Sequence, residues 1–115
     1  MSIGHMSELE EIKVEHPDAK DALMKVAISP KEGWEGYVMR FVEVKPGGYT
    51  PKHAHPWPHI NYFIEGEGTL LLKGKENSVK AGSYSFVPEN ELHQFTNTSD
   101  QVFKFICIVP QEGHK

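Results

Sequence analysis

From Trp34 onward, short runs rich in Val, Ile, Phe, Tyr and Thr alternate hydrophobic with polar positions and are broken every eight to twelve residues by Gly, Pro, Asn or Asp. Period-two alternation bounded by such residues reads as strands joined by turns. The pattern predicts strands at 37–44, 60–65, 69–73, 77–80, 83–87, 93–97 and 102–109. Breakers separate them at Pro46-Gly47-Gly48, Gly66-Glu67-Gly68, Lys73-Gly74-Lys75, Ala81-Gly82, Pro88-Glu89-Asn90 and Thr98-Ser99-Asp100. No segment of useful length carries a 3.6-residue period, so the expected class is all-β, a sandwich or barrel. Residues 1–22 are polar and acidic and read as an N-terminal arm, partly disordered or forming a first edge strand, with the domain over 23–115. Leu23, Val26 and Ile28 run into Pro30, which favours a strand entering a turn there.

Composition narrows the function classes. At 115 residues, 38% hydrophobic and 24% charged, the chain suits one globular domain with one core. The net charge is −4 and Arg40 is the only arginine, which argues against a nucleic-acid surface. The longest apolar run, 105–109, is far too short for a membrane helix, and the acidic start does not resemble a signal peptide, so the cytoplasm is the expected location. The lone Cys107 has no disulfide partner within the chain and fits a reducing compartment.

The unusual feature is histidine: seven in all, three of them within 53–59. His53 and His55 are two apart on extended chain, so their imidazoles share a face and converge. Pro56-Trp57-Pro58 bends the chain and lets His59 open the next strand beside them. Three close imidazoles without a metal would repel when protonated and waste burial when neutral, so a metal site is the better reading. His93 opens another strand after a turn; by spacing alone it is either a ligand or a structural hydrogen-bonder. His5, His16 and His114, in the arm and tail, read as solvated residues.

These residues resemble the two motifs of the cupin family. Gly47, His53-Ala54-His55, His59 and Gly66 keep every interval of the first, with His59 where the family usually has an acid; Gly82, Pro88, Asn90, His93 and Asn97 keep those of the second, with Asn90 in place of a usual glycine. Fifteen residues, 67–81, separate them, as in small single-domain cupins. The resemblance implies a jelly-roll β-barrel with the metal inside, makes His93 a ligand, and points to the subgroup with a four-histidine site of His53, His55, His59 and His93. Four neutral ligands leave the ion its full charge and two open positions for anionic or oxygen ligands. Imidazoles suit Fe, Ni, Cu or Zn, and the resemblance adds Mn, so Mn or Fe is favoured with Ni, Cu and Zn as alternatives.

Alternation places Phe95 with His93, and Phe105 with Cys107, on inward faces, where they line the cavity or fill the core. Arg40 lies inside the run 38–42 and either anchors a substrate carboxylate or makes a salt bridge. The expected function is an oxidoreductase, dioxygenase-like, acting on a small organic molecule with O2 or peroxide. The alternatives are a metal-dependent binding or sensing protein without turnover, and a Lewis-acid lyase or isomerase with Glu65 or Glu67 as base. The segment 23–28 and the strand 37–44 offer more apolar face than one barrel can use, which predicts a homodimer.

Overall fold

The computed structural model describes residues 2–114; Met1 and Lys115, the outer ends of the arm and of the domain as read from the sequence, lie outside the described residues. Alternation is most regular in the strand Phe103–Pro110, where every second residue, Phe103, Phe105, Cys107 and Val109, is buried. In chain order the strands are β1 (Ile12–Lys13), β2 (Lys20–Ile28), β3 (Tyr37–Tyr49), β4 (His59–Glu65), β5 (Glu67–Leu72), β6 (Lys75–Lys80), β7 (Tyr84–Val87), β8 (His93–Thr96) and β9 (Phe103–Pro110). All pairings are antiparallel, in the order β6-β5-β8-β3-β9-β4-β7, with β2 also on β3 and β1 on β2. The chain is thus an all-β jelly-roll barrel.

β3 makes the corner that closes it. The sequence pattern predicts a break at Pro46-Gly47-Gly48, whereas β3 runs through these residues, pairing with β2 and β9 first and with β8 through Tyr49 opposite Thr96. Glycine allows the bend: Gly47 takes φ +79°, and a Cβ on Gly48 would sit 2.5 Å from the Lys20 carbonyl oxygen. Asn97 pins the corner, donating from its side chain to the Val44 and Gln101 carbonyls at 2.8 and 2.7 Å.

The barrel begins earlier than residue 23. β2 starts at Lys20 and Ala22 is buried in the core, because a small apolar residue opposite Val44 packs there. The rest of the arm forms a 3-10 turn over Met6–Glu8 and the short β1. One end of the interior is filled by Phe63, Phe103 and Phe105, with Phe63 and Phe103 stacked at 5.5 Å. The outer faces of β2 and β3 carry Ile28, Met39 and Phe41, which border the arm residues Ile3, Met6 and Leu9. Four exposed apolar side chains pair across β4 and β7: Ile60 (48% exposed) opposite Phe86 (58%), and Tyr62 (48%) opposite Tyr84 (84%). No helix among the described residues is long and apolar enough to cross a membrane.

Candidate metal centre

The other end of the interior is polar. His53 and His93 face each other across an antiparallel bridge, exchanging backbone hydrogen bonds of 3.1 and 3.0 Å, so their rings project from one face with centroids 4.9 Å apart. His55 follows two residues after His53, and its carbonyl accepts from the Asn90 N–H at 2.7 Å, which ties the first histidine segment to the turn before β8. Asn90 holds φ +63°, the left-handed conformation for which glycine is usual and asparagine is tolerated. One ring nitrogen from each of His53, His55 and His93 lies within 4.8 Å of the others, a gathering that can hold a metal ion. His59 opens β4, and its Nε2 is 3.2 Å from the Nε2 of His93.

Hydrogen bonding decides which nitrogens point inward. Nδ1–H of His55 donates to the Trp57 carbonyl at 2.8 Å, and that of His93 to the Glu91 carbonyl at 2.9 Å. Nδ1–H of His59 donates to Oδ1 of Asn61 at 3.1 Å, while the Asn61 amide nitrogen donates to the Ile106 carbonyl and thereby sets the amide's orientation. In each neutral ring Nε2 then carries the lone pair. Burial favours the neutral form of His59 and His93: it pushes His59 down to about 3, with repulsion from His93 and His55 adding, and it lowers His93. His53 is pushed to about 4 by partial burial and by its imidazole neighbours, although it is an exposed residue.

Two lone pairs therefore face each other at 3.2 Å with no proton to share. Nitrogens bound to one metal at the usual ~2.1 Å stand roughly 3 to 3.4 Å apart, so this separation suits a common cation. The oxygen acceptors behind Nδ1 are the partners that orient metal-binding histidines and raise their basicity. The residues present fit a divalent transition metal.

The cluster borders a cavity of about 330 Å³ that is also lined by Arg40, Phe95, Phe105 and Cys107. The structure thus brings all eight sequence-derived candidates to one cavity. Phe95 and Phe105 stack at 4.3 Å as its floor. Burial pushes the Cys107 thiol up, so it is a neutral thiol. Larger hollows of about 480 and 580 Å³ border the arm but hold no histidine cluster.

Three further residues contribute that the sequence pattern does not assign to the site. Asn61 shares the inward face with His59, two positions away, and that alternation was the available signal. Trp57 stacks on His55 at 4.8 Å with planes 10° apart. His114 is not a solvated tail residue: its Nδ1 accepts from Arg40 Nη1 at 3.1 Å, a contact made across 74 residues and invisible to local pattern.

Comparison with known proteins bears on both fold and site. The polyketide cyclase RemF from Streptomyces resistomycificus superposes with a TM-score of 0.90 at 31% identity, over 96% of this chain and 80% of that one. A predicted oxalate decarboxylase from Thermotoga maritima superposes with a TM-score of 0.84 at 24% identity, over 95% and 98% of the two chains, and shares the fold. Among curated sequences, 1-methylthio-D-xylulose 5-phosphate methylsulfurylase from Rhodospirillum rubrum is 27% identical over 67% of this chain and 49% of its own length. A glucose-6-phosphate isomerase from Thermococcus onnurineus is 33% identical over 57% and 40%. The matched stretches span about half of these curated relatives or less. Residues 40–109 match the family model described as the cupin domain, and with both histidine motifs inside that span this chain belongs to the cupin family.

Proposed function

We propose that this cupin holds one divalent transition metal through Nε2 of His53, His55, His59 and His93, with Mn or Fe ahead of Ni, Cu and Zn, and acts as an oxidoreductase on a small organic substrate with O2 or peroxide. The observation that carries the metal reading is the pair of unprotonated Nε2 atoms 3.2 Å apart in His59 and His93. When bound, the metal supplies a full positive charge for polarising a carbonyl or, if redox-active, for activating the oxidant. The chain's own part is to aim His55, His59 and His93 through the Trp57 carbonyl, Asn61 and the Glu91 carbonyl, and to offer an apolar floor for substrate.

Dioxygenase-like chemistry is favoured because none of the cavity's described lining residues is a carboxylate or lysine that would serve as a general base. Glu65 pairs with Lys104 at 3.5 Å and Glu67 borders a different hollow. A second reading, metal-assisted ring closure or isomerisation without redox change, is favoured by the 31% identity to a polyketide cyclase. Elemental analysis of protein purified without a tag or chelating column, followed by assays with Mn, Fe and Zn, tests both. Turnover only with Mn or Fe and an oxidant supports the first reading, turnover with Zn alone supports the second, and protein that neither carries nor takes up metal rejects both.

The proposed assembly is a homodimer that covers Ile60, Tyr62, Tyr84 and Phe86, since an apolar patch beside the end strand β7 invites a second copy. Sedimentation showing a species of only ~13 kDa at micromolar concentration would reject it. The buried free thiol of Cys107 supports a cytoplasmic location.

A further inference from the structure

Arg40 is the cavity's remaining charged group. It sits on β3 opposite Cys107 of β9, which in turn lies opposite Asn61 of β4, so three strands place these side chains in one inward row. A guanidinium has five N–H donors. Here the nitrogen ring atom of His114 accepts one at 3.1 Å and the Cys107 sulfur lies at a weak 3.9 Å, while Nε is buried without a partner. Among the described residues no carboxylate oxygen comes within 4.0 Å of it; the two ion pairs present are Lys25–Glu43 and Lys104–Glu65. The neighbours that touch it are neutral, since burial raises the Cys107 thiol and lowers the His114 imidazolium. A half-buried cation with spare donors and no counter-charge, on the wall of a ligand-sized cavity, is built to meet an anion. The adjacent residues Met39 and Phe41 take the outer face of β3, so Arg40 is turned away from any partner that docks there.

We infer that Arg40 is the anion-recognising end of the cavity and that the substrate is a small planar carboxylate. Its carboxylate meets the guanidinium, its apolar body lies over Phe95 and Phe105, and its other end reaches the histidine cluster. The planar fork of arginine suits a carboxylate bidentately, and the stacked phenyl pair suits a flat body. The cavity of about 330 Å³ is at the small end of ligand sites, which limits the substrate to a compact molecule. The inference rests on reading this cavity as the substrate site, but not on the identity of the metal.

The test uses benzoate and its neutral isostere benzamide, titrated by calorimetry into the full chain as purified and after chelator treatment, with metal content measured in parallel. Benzoate is expected to bind roughly tenfold or more tightly than benzamide in both preparations. Arg40→Met is expected to remove that preference at unchanged metal content, and Arg40→Lys to keep part of it. Should Arg40→Met fail to fold, the wild-type comparison and Arg40→Lys decide. Equal binding of the two probes, loss of the preference on chelation, or its survival in Arg40→Met would each overturn the inference. Wild type that carries and takes up no metal yet still prefers benzoate would reject the proposed metal function and leave the role of Arg40 standing.

Discussion

The two ends of the barrel interior are made by the same strands and do opposite things. At the closed end Phe63, Phe103 and Phe105 are fully buried against one another and no polar atom is asked to pay for its burial. At the open end His59 and His93 are equally hidden, but as polar rings whose lone pairs face each other. β4 shows the change within three inward positions, from Phe63 through Asn61 to His59. Stability and chemistry are thus separated along the barrel axis, and a residue's depth along its strand tells which of the two it serves.

The largest expected effect tests the closed end. Phe63→Ala should lower unfolding free energy by about 3–5 kcal/mol in denaturant titrations, because the cavity left in a packed aromatic cluster cannot collapse. Metal content per folded molecule should be unchanged. At the open end His59→Ala or His93→Ala should cut metal content sharply with the fold intact by circular dichroism; full metal affinity in His59→Ala would refute the fourth ligand. If a histidine variant lost as much stability as Phe63→Ala in metal-free protein, the division between the ends would fail.

Asn61→Leu sharpens the comparison by keeping volume while removing the acceptor behind His59. It should weaken metal affinity by roughly 10- to 100-fold in competition with a chelating dye. The pH dependence follows from the same burial. His59 and His53 are held near 3 and 4, below the ordinary 6.5, so as pH falls through 6.5 the unfolded chain takes up protons that the folded one does not. Metal-free protein should therefore lose stability from about pH 6.5 downward toward 3, seen as a falling Tm as pH is lowered from about 7 to about 5. The loss should shrink in His59→Ala. The smallest effect is expected at the rim, where Asn90→Gly should change stability by less than ~1 kcal/mol and leave metal content alone, since glycine adopts the left-handed turn that Asn90 already holds.

Much of this was legible in the chain. The strands over 60–65, 93–97 and 102–109 follow from alternation and agree with β4, β8 and β9 to within a residue or so at each end. The break expected at Gly47-Gly48 does not occur, because glycine signals a bend equally well whether the strand stops or turns a corner while staying paired. Asn61 was missed although its spacing from His59 was visible, because a polar residue on an inward face is informative only once that face is known to be buried.

Local chemistry along the sequence determined the all-β class, the shared direction of His53 and His55, and the small set of residues able to hold a metal, since period-two geometry and side-chain type are properties of neighbouring positions. Tertiary structure alone decided the rest: that His53 and His93 face each other across a bridge, that Asn61 turns the lone pair of His59 toward His93, and that Arg40 and His114 meet across 74 residues. Those contacts arise from how the sheet bends and closes, and the closure of the barrel depends on packing summed over the whole core rather than on any one segment.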